Sequence, residues 1–339
     1  MPYLDAYWYD HFKMRGMDRT SFSLTGDAPN APFAARTDWR PKAGRPGSDL
    51  PVLQAMLDRF GTSLAVAHCI FGGVAAHSED LAAVMCKAVN DWVADQWLSK
   101  EPRLAASILV PQTSPSLAIE EIERRADDPR FVQVLMLVMG RDLLGKRSHW
   151  PIYEAAQKRG LSICVHAGSL YHHPPMTGYG SFAYEDYVAQ SFSFENQLIS
   201  LLAEGVFQKF PGLKFIFAES GVTWAPPALW RFTKTWHGVR PDIPWVKRMP
   251  PNIVRDHIRF TLQPFDAPDA GPAIERWCEH MQSDELLLFS TDFPHWHFEG
   301  TDAIDLDRTS PLLPKILSAN ALAACPALGA LLPATQEVA

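Results

Sequence analysis

The 339-residue sequence predicts an α/β fold on a parallel sheet, with the unit spacing of a (β/α)8 barrel but one strand too few. Three observations carry this reading. Seven short runs of apolar and β-branched residues, at 63–70, 104–110, 132–138, 161–166, 213–218, 258–262 and 286–290, rarely alternate with polar residues, as expected of strands buried on both faces. Helical patterns separate them. The strand starts fall roughly 28 to 52 residues apart, where such a barrel averages about 31 per unit, so each gap holds one unit and the longer gaps carry insertions.

The elements follow in order. Residues 3–12 read as a short aromatic helix, and 18–47 are polar and rich in Pro and Gly, offering no strand. After the first run, Ser78 is an N-cap for a helix over 79–99. A Ser-Pro entry and the early acids Glu120, Glu121 and Glu123 open a helix over 116–126. A helix over 153–158 ends at Arg159-Gly160, a C-terminal glycine signal. A Gly-, Pro- and Tyr-rich loop occupies 169–187. A helix over 194–208 stops before Pro211-Gly212, and helices over 272–282 and 314–324 complete the chain. Trp224, Trp230 and Trp236 recur at roughly helical spacing, which reads as packing.

Composition narrows the function. With 31 Lys+Arg against 38 Asp+Glu the net charge is −7, which disfavours a nucleic-acid partner. Hydrophobic residues at 47% and charged residues at 20% describe a globular chain. No apolar run approaches the ~18 residues of a membrane helix, and residues 1–10 have no basic stretch of a signal peptide. Cys69, Cys86, Cys164, Cys278 and Cys325 form no CxxC pair and lie in apolar segments, so reduced thiols and a cytoplasmic location are expected.

Barrel chemistry sits at the C-terminal ends of strands. The run at 161–166 ends in His166, followed by Ala167-Gly168. The run at 213–218 is followed at once by Glu219. The run at 286–290 is followed by Thr291-Asp292-Phe293-Pro294-His295. Imidazole and carboxylates on one face suit a borderline divalent ion such as zinc or manganese. Each has a plainer use. His166 serves equally as a core imidazole bonded to a carbonyl, Glu219 as half of an ion pair, and Asp292 as an Asx turn. The joint pattern favours the site, because three ionisable groups behind apolar runs are costly unless paired or metal-bound. Arg141, just past the third run, either clamps a substrate carboxylate or sits in a surface salt bridge. His172 and His173 lie in the 169–187 loop as substrate contacts or surface groups. His295 either orients Asp292 or touches substrate, His297 reads as loop, and His68 points toward the mouth or the core, with core the default reading.

The motifs Cys-Val-His-Ala-Gly (164–168), Phe-Ala-Glu-Ser-Gly-Val-Thr-Trp (217–224) and Ser-Thr-Asp-Phe-Pro-His (290–295) resemble the amidohydrolase-related group. That branch of the amidohydrolase superfamily contains aminocarboxymuconate-semialdehyde decarboxylase and related decarboxylases. Pro-Tyr-Leu-Asp-Ala-Tyr-Trp (2–8) and Ile-Leu-Ser-Ala-Asn-Ala (316–321) resemble it too, so the likeness spans nearly the whole chain. It implies one domain over 1–339, a distorted (β/α)8 TIM barrel. In it 1–60 form an N-terminal helix and extended loop, 61–295 carry strands two to eight, and 296–339 form a C-terminal helix and tail. It implies His166 and Asp292 as metal ligands, with Asp292 also catalytic. His295, His172 and Arg141 are the candidate substrate contacts. Two departures stand out. Glu219 stands where many members place a histidine, which leaves it as general base, further ligand or partner of a basic substrate group. No His-x-His or Glu-x-His of a first strand is present.

The expected function is metal-dependent hydrolysis or non-oxidative decarboxylation of a small carboxylated or aromatic substrate. One zinc or manganese ion is expected, weakly held because the first-strand ligands are absent. No nucleic acid or membrane partner is expected, and a homodimer is the candidate assembly. The alternative is a metal-free barrel serving as a binding or scaffold protein. The missing strand further predicts that Met1 is not the evolved start, and that an unpaired strand edge exposes backbone donors and acceptors unless a substitute covers it.

Overall fold

The computed structural model describes residues 2–14, 35–40, 42, 47–70, 78–168, 182–268, 270–296 and 304–332, without the side chains of 183 and 186. Seven parallel strands run side by side in sequence order, β1 (Ala65–Ala67), β2 (Leu104–Leu109), β3 (Phe131–Leu137), β4 (Ser162–His166), β5 (Phe215–Ala218), β6 (Ile258–Thr261) and β7 (Leu287–Leu288). They form a curled half-barrel with helices outside. Each strand lies within a run read from the sequence, except that β3 begins one residue earlier.

The two faces follow from strand alternation. Val134, Met136, Ile163, Val165, Phe215 and Phe217 point outward into the main core beneath the helices. Leu135, Leu137, Cys164 and Ala218 form a smaller inner cluster, and register places Leu137, His166 and Ala218 level on that face. The helices of the outer layer are α3 (Glu79–Val93), α4 (Pro115–Arg125), α5 (Trp150–Lys158), α6 (Ala183–Ala203), α8 (Ala225–Val239), α9 (Pro250–His257) and α10 (Ala270–Met281), with the short α7 (Val206–Lys209) after α6. Edge-on aromatic contacts bind layer to layer, Phe217 to Phe260 at 5.8 Å and Phe260 to Trp277 at 5.7 Å. The Ser78 hydroxyl accepts from Leu81 N–H at the start of α3, as its N-cap position predicts.

Several elements differ from the sequence reading. The helix expected over 194–208 begins at Ala183 and breaks at Gly205, whose φ of 81° is left-handed, before resuming as α7. A helix α2 (Leu50–Arg59) lies where an extended loop was expected. It buries Leu53, Met56 and Leu57, a stripe hidden in the sequence by the Pro- and Gly-rich tract before it. The aromatic helix near the N-terminus, α1 (Ala6–Met14), starts three residues later than expected.

The expected raw edge is not present at β7. The carbonyls of Leu286 and Leu288 accept from β6, through Phe260 and Leu262 N–H at 2.8 Å each. Leu287 O and Phe289 N–H therefore face away from the sheet. A C-terminal helical segment takes both. Asn320 Nδ2 donates to Leu287 O at 3.0 Å, and Phe289 N–H donates to Ile316 O at 2.9 Å. Ile316 O is open because residues Lys315–Ala319 wind as a π-turn, which directs Asn320 N–H to Lys315 O. The same segment, between α11 (Leu312–Pro314) and past α12 (Asn320–Ala324), packs Leu322, Leu328 and Leu331 in one cluster with Val66 of β1, Ala105 and Val132. A helix thus substitutes where the sequence reading required a strand.

Candidate active site

At the C-terminal ends of the strands the chain gathers the residues that the sequence singled out. Glu219 follows β5 directly in a left-handed conformation with φ of 60°, and its N–H donates to Thr261 Oγ1 of β6 at 3.0 Å. Asp292 follows β7, also left-handed with φ of 50°. His295 is tied to it through the backbone, His295 N–H donating to Asp292 O at 2.6 Å. Left-handed residues other than glycine mark strain that the surrounding structure must hold. Here both turn a carboxylate toward the barrel mouth. Single ligand-type atoms of Glu219, Asp292 and His295 lie within 4.8 Å of one another.

His166, the last residue of β4, stands beside this triad. Its Nδ1 is 2.8 Å from Ala167 O and 3.5 Å from Glu219 Oε2. A carbonyl only accepts, so Nδ1 carries the proton and Nε2 keeps its lone pair. His295 has Nδ1 3.5 Å from Asp292 Oδ2 and Nε2 hydrogen-bonded at 3.1 Å to the Tyr187 hydroxyl of α6. Near it, Ala35 bridges His295 in antiparallel fashion and Arg36 N–H donates to Pro294 O at 3.0 Å, so a short N-terminal segment braces the loop.

Burial sets the charge states. It pushes the Asp292 carboxyl well above the ordinary carboxylate range, and it pulls His166 down to about 4. His68 falls to about 3, first by burial and then by the neighbouring His166. For a base depressed in the fold, stability is complete above the unfolded value near 6.5. It is lost as pH falls toward the folded values, because only the unfolded chain takes up the protons. Metal-free protein is therefore expected to lose stability between about pH 6.5 and 4 at up to about 1.4 kcal/mol per pH unit for each imidazole. Urea midpoints across that range should flatten in a His68→Gln/His166→Gln double variant; an equal slope in the double variant would exclude these two rings as its source.

Not every candidate joins the site. Arg141 is exposed after β3 and, among the described residues, makes no hydrogen bond or ion pair, so the surface salt bridge is not formed there. His172, His173 and His297 lie outside the described residues. Of the two placements open to His68, mouth or core, the structure gives the mouth, just past β1, and not the default core. Its ring meets His166 edge to face at 5.5 Å, and its Nδ1 is 2.8 Å from Ser107 Oγ. The signal was available: His68 ends an apolar strand as His166 does. Tyr187 was seen only as part of a loop.

The donor set fits a divalent ion. Two carboxylates and an imidazole converge. His166 is not one of the three and stands beside them, its Nδ1 3.5 Å from Glu219 Oε2. The chain belongs to the amidohydrolase family, whose model, described as "Amidohydrolase", matches residues 32–324. A curated relative, the gamma-resorcylate decarboxylase of Polaromonas sp. (strain JS666 / ATCC BAA-500), is 24% identical over 245 residues, covering 66% of this chain and 72% of the relative. Among solved structures, the 5-carboxyvanillate decarboxylase of Sphingomonas paucimobilis has a TM-score of 0.64 at 20% identity, covering 80% of this chain and 82% of that one. A dihydroxybenzoic acid decarboxylase from Polaromonas sp. JS666, solved with manganese and the inhibitor 2-nitroresorcinol, has a TM-score of 0.63 at 21% identity, covering 80% and 84%. No helix among the described residues is long and apolar enough to cross a membrane.

Proposed function

We propose that this protein is a divalent-metal-dependent decarboxylase of a small aromatic acid, working at the cluster of Glu219, Asp292 and His295. The observation that carries the reading is the convergence of these three side chains, beside His166, in a family fold whose similar proteins include several decarboxylases. Asp292 and His166 are the leading ligands, with His295 and Glu219 close enough to complete the set. The ion, zinc or manganese, supplies Lewis-acid polarisation of a substrate oxygen.

The rest falls to the chain. Loss of CO2 leaves an electron pair on the ring carbon, and that carbon must receive a proton. Glu219 is suited to deliver it. It is fixed by its strained backbone and by Thr261, it is 13% exposed, and it stands 3.5 Å from His166. Its carboxyl takes up the replacement proton from solvent. Glu219→Gln keeps the volume but cannot transfer that proton, and is expected to fold normally and lower kcat about a hundredfold. Turnover at the wild-type rate in Glu219→Gln would leave Glu219 as a wall of the pocket.

The reading is tested by metal analysis together with an assay on 2,6-dihydroxybenzoate, the acid bound in one similar solved decarboxylase. Near-stoichiometric zinc or manganese and metal-dependent release of CO2 support it. Hydrolysis of amides or esters without decarboxylation would move the protein to the hydrolase side of the family. Absence of metal after mild purification, with no turnover of aromatic acids, would favour the scaffold alternative.

A further inference from the structure

A polar chain runs through the inner face of the sheet beneath the candidate site. Gln133 of β3 donates from Nε2 to Ser107 Oγ of β2 at 2.9 Å, and Ser107 Oγ lies 2.8 Å from His68 Nδ1. Gln133 and Ser107 are both buried, at 3% and 2% exposure. The Ser107 hydroxyl has one proton to give. Among the described residues its only acceptor is His68 Nδ1, and a buried hydroxyl without an acceptor is costly. The Ser107 proton therefore goes to Nδ1. That nitrogen is then an unprotonated acceptor, and the neutral ring must carry its hydrogen on Nε2.

The direction of the ring gives this tautomer its use. Nδ1 is turned inward to Ser107, so the opposite edge with Nε2 faces the mouth beside His166. Nε2 forms no hydrogen bond among the described residues, and the residue as a whole is half-buried. We propose that His68 is a substrate-binding residue whose Nε2–H, set by Ser107 and Gln133, donates a hydrogen bond to an anionic oxygen of the bound aromatic acid. His68 and His166 then form a complementary pair. His166 offers a lone pair on Nε2, while His68 offers a proton on Nε2. Hydrogen bonds from a neutral donor to a charged acceptor in a site shielded from water are among the stronger ones.

The proposal rests on the functional reading above, and its test separates the two. Protein labelled with 15N in histidine is examined by NMR, with the His68 signals assigned by their loss in His68→Leu. Binding of 2-nitroresorcinol and 2,6-dihydroxybenzoate is measured by calorimetry, and metal content is measured alongside. The expected result is an unprotonated Nδ1 and a protonated Nε2 at His68, and a mixture of tautomers in Ser107→Ala. His68→Leu should weaken both probes by about tenfold or more at unchanged metal content. A protonated Nδ1 in the wild type overturns the proposal. So does unchanged probe affinity in His68→Leu, with the functional reading intact. Loss of metal in His68→Leu would make the ring a ligand and overturn the donor role. A wild type that binds neither metal nor probe overturns the functional reading and the contact together.

Discussion

Asp292→Asn is expected to abolish stoichiometric metal and to lower turnover by about a thousandfold while the fold is kept. The amide preserves shape but cannot hold negative charge. Asp292 is half-buried behind a left-handed turn with its Oδ2 closed off from solvent, and this desolvation already disfavours its ionised form. A cation must therefore displace a proton to bind there, so metal affinity should weaken as pH falls below neutrality. Without metal the sign reverses for stability. A carboxyl raised in the fold contributes fully below its ordinary range, and that contribution is lost as pH rises through the folded value. Asn removes this loss, so metal-free Asp292→Asn should be at least as stable as metal-free wild type above neutral pH. His166→Ala should likewise lose the ion. Atomic emission on both purified variants decides the matter, and full occupancy in both would refute the assignment of either residue as a ligand.

The second large effect lies far from the chemistry. Asn320 is 3% exposed, and its Nδ2 donates to Asp284 O and Leu287 O at 3.0 Å each. Asn320→Ala strips both carbonyls of this donor, one of them on the outer side of β7. A buried acceptor left without its donor costs about 1 to 3 kcal/mol, and the side-chain cavity adds to it, so a loss of about 3 kcal/mol is expected in urea unfolding. A loss under about 0.5 kcal/mol would show that the edge is satisfied by other means.

Much of this was legible in the chain. Buried parallel strands announce themselves by unbroken apolar runs, and all seven were readable for that reason. His166 and Glu219 were readable because a polar residue directly after such a run is conspicuous. Asp292 and His295 were readable because the turn following the last run is short. What escaped depended on contacts between distant segments. Tyr187 reaches His295 across 108 residues of sequence, and its place in α6 was obscured by the loop composition before it. His68 was assigned to the core because nothing local distinguishes a ring pointing inward from one held at the mouth by Ser107 on the next strand. Arg141 was singled out by its position after a strand, and among the described residues it is exposed and meets no acidic partner. The π-turn at Lys315–Ala319 exists to meet a strand edge, and a helical pattern alone cannot register that.

The closure of β7 by a late helix also bears on how the protein is made. Strand order equals chain order, so during synthesis each new strand finds its partner already waiting beside the growing edge. The exposed edge therefore travels with the nascent chain and always belongs to the newest strand. It is retired only when Ile316 and Asn320 leave the ribosome, some 30 residues of translation after β7, a pause of a few seconds at ordinary elongation rates. In that interval the nascent chain presents unpaired backbone groups open to capture by another strand. A released chain ending at residue 310 should consequently bind chaperones more strongly than the 339-residue chain.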